Sequence, residues 1–308
     1  MSVVGTIVAE ARPAEFRASG TDLSERRRSG VSHGALIDIP PSPEMTGIAW
    51  DSTGPRIGAL TPIAAIADDA RLTAAYPGIA AAVAGLATPQ IRRVATLGGN
   101  LAQRSRCWYF RNPRIDCLKK GGSACPAREG NHLYGVAFDL GPCVAPHPST
   151  MAAVLMAYDA RITTNQRPAL TIEQLLGDGS DGAADNALHP GEMIEAIILP
   201  QPAPGERAAY RRAIGRAMAE WPLAEVVARV VVEAGAFRLV RLTAGGVAPV
   251  PIRLTAAEAA GEGAPVSQTT IERAARAAIE GAKPLPMTGY KLELLKGLVR
   301  DCLEQCSG

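Results

Sequence analysis

The chain is poor in aromatic residues, in net charge and in long apolar runs. Aromatic side chains make up 4% of its 308 residues, so alanine, valine, leucine and isoleucine must fill most of the core. A formal net charge of +2 gives no overall field that would attract nucleic acid or an anionic membrane. No apolar run approaches the roughly 20 residues that span a bilayer. We therefore expect neither direct membrane insertion nor nucleic-acid binding.

The first residues also lack the features of a secretory signal. The segment MSVVGTIVAEARPAEF has neither a basic n-region nor a continuous apolar h-region. By its own sequence the chain is expected to be cytoplasmic, whereas co-export with a partner that carries a signal would place it in the periplasm. A length of 308 residues leaves room for two or three domains.

The pattern of short apolar segments predicts an α+β protein. Strands are expected near 35–39, 56–60, 160–164 and 192–199, with alanine-rich helices between 62 and 86 that end before Thr88-Pro89. The segment QPAPG at 201–205 is typical of a linker, which predicts domains at 1–203 and 204–308. In the second domain, a capping box of Thr269 and Glu272 predicts a helix to Gly281. A last helix is expected to bury Cys302 and Cys306 as small core residues.

Residues 96–157 contain the most informative stretch, which opens with the sequence TLGGN. Gly98 and Gly99 lack Cβ atoms, so their amides can come close to a phosphate, although Gly-Gly and Gly-Asn are also ordinary turn dipeptides. An earlier segment, ASGTDL at 18–23, offers free amides and two hydroxyls of the same kind, or a helix cap. Arg26, Arg27 and Arg28 follow it and are expected to be solvated. Ser149 is expected to cap the helix that follows the stretch.

Four of the six cysteines lie between the TLGGN segment and Ser149, in a segment rich in glycine and proline. Cys107, Cys117, Cys125 and Cys143 have the spacing C-x9-C-x7-C-x17-C. No C-x2-4-C pair is present, which disfavours structural zinc, and two disulfides would require an oxidising compartment. A [4Fe–4S] cluster accepts wide spacing and ranks first, with zinc second and disulfides third. Seven cations in the loop would stabilise thiolate charge: Arg104, Arg106, Arg111, Arg114, Lys119, Lys120 and Arg128.

Seven motifs in this order resemble the FAD-binding medium subunit of the molybdenum hydroxylases, the relatives of xanthine dehydrogenase and carbon monoxide dehydrogenase. The motifs are ASGTDL (18–23), IDI (37–39), IGA (57–59), TPQIR (88–92), TLGGNL (96–101), GE with an aliphatic strand and LP (191–200), and GGVAPVPIR with a following AE (245–258). The resemblance implies a two-part FAD-binding domain of the PCMH/VAO type, followed by a C-terminal α+β domain like that of the carbon monoxide dehydrogenase flavoprotein. The cysteine loop, about 104–146, resembles the [4Fe–4S] insertion of the periplasmic aldehyde oxidoreductase type.

The resemblance implies a set of cofactor-binding residues and no catalytic residue, since substrate chemistry would belong to a partner subunit. The FAD set is Ala18, Ser19, Gly20, Thr21, Asp22, Leu23, Ile57, Gly58, Thr96, Gly98, Gly99, Asn100, Ser149 and Thr150. The cluster ligands are Cys107, Cys117, Cys125 and Cys143. Where the family usually has Ser-Asp, this chain has Ser149-Thr150 and lacks a carboxylate that typically helps to hold the flavin.

The function implied is electron transfer. A molybdenum-cofactor large subunit would oxidise an aldehyde or N-heterocycle, and electrons would pass through [2Fe–2S] centres of a small subunit to FAD in this chain and then to an external acceptor. Two alternatives stay open at this point. One is a structural zinc-binding subunit with a degenerate flavin site, and the other is a reductase of the 4-hydroxybenzoyl-CoA reductase type, with electrons flowing towards molybdenum.

Overall fold

A computed structural model of the protein describes residues 14–215 and 219–308. The strands are β1 (Glu15–Arg17), β2 (Leu36–Asp38), β3 (Ile48–Trp50), β4 (Pro55–Gly58), β5 (Arg161–Thr164), β6 (Ile194–Ile198), β7 (Glu206–Ala213), β8 (Ala224–Glu233), β9 (Ala236–Gly245) and β10 (Ile252–Arg253). The helices are α1 (Leu23–Arg28), α2 (Ile63–Asp68), α3 (Ala70–Ala75), α4 (Pro77–Gly85), α5 (Pro89–Val94), α6 (Leu97–Leu101), α7 (Trp108–Arg111), α8 (Thr150–Ala157), α9 (Ile172–Leu176), α10 (Thr255–Gly261), α11 (Gln268–Ala277) and α12 (Tyr290–Ser307). Short 3-10 turns lie at Pro43–Met45 and Leu118–Lys120.

The strands form three sheets. Strands β1 and β2 are a parallel pair, β3-β4-β6-β5 is an antiparallel sheet of four, and β10-β9-β8-β7 is a second antiparallel sheet of four. The four strands expected from the first part of the sequence are confirmed to within two residues at each end. None of the helices within the described ranges combines the length and the apolar character that a bilayer crossing requires.

Helices α2, α3 and α4 occupy the alanine-rich segment, as expected. They bury Ile63, Ile66, Leu72, Ile79 and Val83 in one core with β4, β6 and α8. The alanine-rich helices end at Gly85, before Thr88-Pro89, as expected, but this dipeptide also begins a further helix, α5, which was not expected. The Thr88 hydroxyl accepts from the amide of Ile91, and Pro89 fits the first helical position, where its missing N–H costs nothing.

The second sheet packs against α10, α11 and α12. Cys302 and Cys306 are fully buried in this core with Leu295 and Val299, so their interpretation as small core residues is confirmed. The expected capping box is wrong. Ser267 caps α11 by accepting from the amide of Thr270, while Glu272 reaches across to Arg300 of α12 at 2.5 Å. The helix ends at Ala277 instead of Gly281.

Helix α8 joins the two halves of the molecule, and each of its eight residues is buried. Its carbonyl groups are bonded from the second sheet: the Thr243 hydroxyl donates to Ala153 O at 2.7 Å, and Arg229 Nη1 donates to Ala157 O at 2.5 Å. A cation at the last carbonyl also matches the negative end of the helix dipole. The C-terminal sheet thus fixes the position of α8, and with it the position of the Ser149 cap.

A buried carboxylate lies at the first turn of α8. Glu225 of β8 accepts hydrogen bonds from the hydroxyls of Thr150 and Tyr210, at 2.8 and 2.7 Å, both on Oε2. Burial raises the pKa of Glu225, and the two hydroxyls and the charge of Arg212 only partly oppose that shift. A carboxyl with a raised pKa stabilises the fold below its unfolded pKa, and that contribution is lost as pH rises through the folded pKa.

We expect Glu225→Gln to be at least as stable as the wild type at pH 8, since a Gln carbonyl can accept both hydroxyls without a buried charge. The two proteins should converge below about pH 4, near the unfolded pKa of a glutamate. Glu225→Ala should lose about 3 kcal/mol of unfolding free energy, because it leaves two buried hydroxyls without an acceptor. Urea unfolding between pH 4 and 8 measures all three. An equal loss in Glu225→Gln would show that the charge itself is needed.

Candidate cofactor site

The TLGGN segment forms a short helix, α6, and is not the turn that its dipeptides suggest. Thr96 caps it, with its hydroxyl accepting from the amide of Gly99 at 3.2 Å. Gly98 allows close packing on the end of β4, because a Cβ there would lie 2.8 Å from the Cβ of Ala59. A Cβ on Gly99 would meet only the Thr96 hydroxyl, at 2.9 Å, and otherwise points into open space.

The amides expected to reach a phosphate are already bonded inside the chain. Leu97 N donates to Thr61 O at 3.0 Å, and Gly98 N donates to Ala59 O at 2.8 Å. The amide of Gly99 is held by the Thr96 cap. What remains available to a ligand is the surface over Gly99 and Asn100, where no side chain stands in the way.

That surface is one wall of a cavity of about 290 Å³, here called the cradle. Five of the sequence-predicted FAD residues line it: Thr21, Asp22, Gly99, Asn100 and Thr150. The other walls include Leu86, Ala87, Thr88 and Ile91 at one end and Arg106, Arg212, Trp221 and Pro222 at the other. An apolar end, a wall without side chains at Gly99 and nearby arginines fit a ligand with an aromatic base, phosphates and a flavin ring.

The remaining FAD candidates do not line the cradle. Gly20 has a φ of 75°, so the turn before α1 needs a residue without a Cβ. Ile57 is buried in the core, and a Cβ on Gly58 would lie 2.3 Å from the backbone carbonyl carbon of Met45. The structure thus places Ile57 and Gly58 outside the cavity lining. The others that do not line it are Ala18, Ser19, Leu23, Thr96, Gly98 and Ser149.

Ser149 connects the start of α8 to Asn100 of α6. Its hydroxyl donates to Asn100 Oδ1 at 2.7 Å and accepts from the amide of Ala152 at 3.0 Å, which confirms the expected cap of α8. One side chain therefore fixes the orientation of Asn100 in the cradle wall and the start of α8.

Asp22 ties the first turn to the cysteine loop. Its carboxylate pairs with Arg106 at 2.8 Å and Arg111 at 2.7 Å, and it accepts from the backbone amide of Arg104 at 3.1 Å. Burial alone would raise the pKa of Asp22, but these positive charges and hydrogen bonds hold it below its usual value. Arg26 also pairs with Asp22 and is only 8% exposed, so the expectation that it is solvated is wrong.

The four candidate ligand cysteines, which belong to the segment that connects α6 to α8, line one small apolar cavity of about 10 Å³. All six cysteines of the chain are free thiols, so no disulfide closes the loop. Among the residues that the structure describes, no three His, Cys, Asp or Glu side chains are placed to share a single metal ion. The cysteines thus face a common centre without converging on one atom.

Backbone amides lie against several of these sulfurs. Burial raises the pKa of Cys107, and the amides of Phe110 and Tyr109 oppose that shift. The Cys143 thiol donates to the sulfur of Cys125, which lowers the pKa of Cys125 and raises that of Cys143. Amides of residues 127, 128 and 144 add to the effect on Cys125. Such N–H donors stabilise thiolates.

Most of the seven cations in the cysteine loop pair with carboxylates, so they are not available only to the thiolates. Asp185, which is buried, binds Arg104 at 2.7 Å and Lys119 at 2.9 Å, and Asp139 binds Arg128 at 2.7 Å. Asp185 belongs to a polar, glycine-rich loop that the sequence left without a role, and no local motif marks it. Trp221 and Glu225 were missed for the same reason, since both are distant in sequence from the cradle.

We expect Asp22→Asn to lower the unfolding free energy at pH 7 by about 3 kcal/mol, because Arg106 and Arg111, which are partly buried, would keep only Glu25 as a carboxylate partner. The pKa of Asp22 is lowered in the fold, so its contribution is present at neutral pH and is lost as pH falls below about 4. Urea unfolding at pH 7 and pH 3 measures the difference. Asp68→Asn, at an exposed position, is the control. Equal stability of both variants at pH 7 would contradict the role of Asp22.

Two family models match the chain. Residues 3–202 match the FAD binding domain in molybdopterin dehydrogenase, and residues 208–306 match the CO dehydrogenase flavoprotein C-terminal domain. Among curated proteins, the aldehyde oxidoreductase FAD-binding subunit PaoB of Escherichia coli K12 is 33% identical over 301 residues, covering 95% of this chain and 91% of that protein. The xanthine dehydrogenase FAD-binding subunit of Escherichia coli O157:H7 is 22% identical, covering 90% and 82%.

Solved structures show the same fold. Carbon monoxide dehydrogenase from Hydrogenophaga pseudoflava matches with a TM-score of 0.74 at 22% identity, covering 95% of this chain and 89% of that chain. Quinoline 2-oxidoreductase from Pseudomonas putida 86 matches with a TM-score of 0.74 at 16% identity, covering 96% and 89%. The predicted fold class is confirmed. The chain therefore belongs to the FAD-binding subunits of the molybdenum hydroxylases, an oxidoreductase family that includes aldehyde, xanthine and carbon monoxide dehydrogenases.

Proposed function

We propose that this chain is the FAD- and [4Fe–4S]-binding electron-transfer subunit of a heteromeric molybdenum hydroxylase that oxidises aldehydes. The aldehyde assignment is supported by the similarity to PaoB, which is described as the FAD-binding subunit of an aldehyde oxidoreductase. The observation that carries the cluster is the placement of four free cysteines around one cavity, whose Cys107 directly follows Arg106 of the cradle wall. The domain division at residues 203 and 204 falls between β6 and β7 and is part of the proposal.

In this proposal the cradle holds the FAD. Bound FAD supplies a carrier that accepts electrons singly or in pairs. The protein binds and orients it: Gly99 leaves room for the phosphates, and Asn100, held by Ser149, and Thr150 offer polar groups towards the ribityl chain. Thr150 carries no charge, but Glu225 lies directly behind it, at 2.8 Å. A carboxylate is thus present near this wall although position 150 lacks one.

The cysteine spacing favours a cluster over zinc. Structural zinc usually takes cysteines in close C-x2-4-C pairs, and these four cysteines form none. A [4Fe–4S] cluster binds each thiolate at a different iron and accepts wide spacing in the sequence. Cys107, Cys117, Cys125 and Cys143 would hold it, and the backbone amides beside Cys125 would stabilise its negative charge.

The proposed partners are a molybdenum-cofactor large subunit, a small subunit with [2Fe–2S] centres, and an external electron acceptor. The curated relatives are themselves described as subunits, which supports a heteromeric assembly. This chain would then carry no substrate chemistry of its own. Its side chains position the FAD and the cluster, and the ion pairs of Asp22 and Asp185 fix the position of the two sites relative to each other.

Cys117→Ser should remove most of the iron from the purified chain and leave the FAD-to-protein ratio unchanged, because the sulfur lies on the cluster cavity and not on the cradle. Iron and zinc analysis with a visible absorbance spectrum measures both. Cys302→Ala is the matched control, since that thiol is buried in the C-terminal core. Zinc in the wild type, or equal iron in Cys117→Ser, would reject the cluster.

Gly99→Val should reduce the FAD-to-protein ratio at least tenfold, because the new side chain would occupy the open wall of the cradle. Gly297→Val is the control: Gly297 lies in α12, and a Cβ there meets nothing within 4 Å. Thermal unfolding of both variants checks that the fold is kept. Full FAD content in a folded Gly99→Val protein would contradict the placement of the cofactor.

A further inference from the structure

A second cavity, of about 370 Å³, adjoins the cradle and is not accounted for by the proposed FAD residues. Four residues line both cavities: Arg106, Glu220, Trp221 and Pro222. The remaining walls come from the cysteine loop and from the C-terminal half, including Leu223 and Lys291. The two spaces are thus separated only by a thin wall that contains Trp221 and Arg106, with the Arg106 guanidinium 4.5 Å from the centre of the Trp221 ring.

The second cavity is lined by aromatic rings in a chain that has few. Trp108, Tyr109, Tyr134 and Trp221 are four of the chain's 13 aromatic residues, by its counts of 3 Trp, 6 Tyr and 4 Phe. Trp108 and Tyr134 meet edge to face with ring centres 5.4 Å apart. Trp108, Tyr134 and Trp221 are 60%, 48% and 51% exposed. Exposed rings grouped in a concave site are typical of a site that binds a flat apolar ligand.

A buried cation, Lys291, also lines this cavity. Lys291 of α12 donates to Gly246 O at 2.7 Å and to Tyr134 O at 3.4 Å, and it has no ion pair among the described residues. An ammonium group has three N–H donors, so two carbonyl partners leave one available to a ligand oxygen. Burial lowers the pKa of Lys291 to about 7, which makes it able to give up a proton near neutral pH.

We propose that the second cavity binds the oxidant that takes electrons from the reduced flavin, and that this oxidant is a quinone. The proposal rests on the proposed function. The aromatic walls would enclose the quinone ring, and a quinone carbonyl would accept a hydrogen bond from Lys291. The quinone gains two electrons and two protons and leaves as the hydroquinone, while the reduced flavin loses the same two electrons and two protons and returns to FAD.

The lining of the cavity favours a quinone over the other candidates. Its aromatic rings suit one or two fused rings of a flat ligand. A nicotinamide dinucleotide carries two phosphates, whereas Arg106 in this lining is already paired with Asp22. A protein partner would engage a wider and flatter surface.

The test measures binding of menadione, a naphthoquinone, to the full-length FAD-loaded chain by calorimetry. Tyr134→Leu and Trp108→Leu should each raise the Kd for menadione at least tenfold, with FAD and iron content unchanged. Tyr290→Leu is the matched control, because Tyr290 is a nearby tyrosine that bonds Leu133 O and does not line the cavity. Its Kd should equal that of the wild type. Anaerobic reoxidation of the reduced flavin by menadione should saturate with the same Kd and be slower in the first two variants.

Three results would overturn the inference while leaving the proposed function intact: an FAD-loaded wild type that does not bind menadione, equal binding by all variants, or loss of binding in the complete complex, which would make the cavity a subunit interface. Loss of FAD in Tyr134→Leu would also overturn it, because the flavin ring itself would then fill this space. A wild-type chain that contains no FAD would instead refute the proposed function.

Discussion

The partly buried carboxylate of Asp22 is the contact on which both proposed cofactor sites rely. It stands between the first turn of the chain and the cysteine loop, and it binds Arg106, Arg111 and the backbone of Arg104. Without it, Arg106 and Arg111 would keep only Glu25 as a carboxylate partner, beside the wall shared by the cradle and the second cavity. Arg106 then continues the contact to Trp221 of the C-terminal half. One acidic side chain thus links three segments that are far apart in the sequence: the first turn, the cysteine loop and, through Arg106, the segment that contains Trp221.

A second set of contacts, around α8, joins the two sheets. Ser149 caps the helix and orients Asn100, while Glu225 and Thr243 reach its first turns from the C-terminal sheet. The cradle is therefore built from both halves of the chain, with Gly99 and Thr150 on one side and Arg212 and Trp221 on the other. These buried polar contacts hold the two walls of the cradle in a fixed arrangement.

The sequence predicted the elements well where the pattern was local. Apolar periodicity located β4, β5, β6 and α12, and the Ser149 cap followed from residue type. Predictions failed where a neighbour distant in sequence changed the outcome. Gly98 and Gly99 became helical because the β4 end bonds the Gly98 amide, and Arg26 became buried because Asp22 and Glu15 pair with it. Glu272 pairs with Arg300 of α12 in place of a cap.

The amino-acid sequence by itself determined the family, the order of the elements, and the four cysteines and two small-residue segments that the proposed sites contain. These features follow from residue type and spacing along the chain, which do not depend on the folded conformation. Only the tertiary structure decided which of those residues share a cavity, that Asp185 and Glu225 take part, and that a second aromatic cavity exists. Side chains from segments about 80 residues apart, such as Asp185 and Arg104, meet only after the chain has closed around a common core. Burial then shifts the pKa values of such side chains. Because desolvation occurs only in the folded chain, the sequence alone does not reveal this shift.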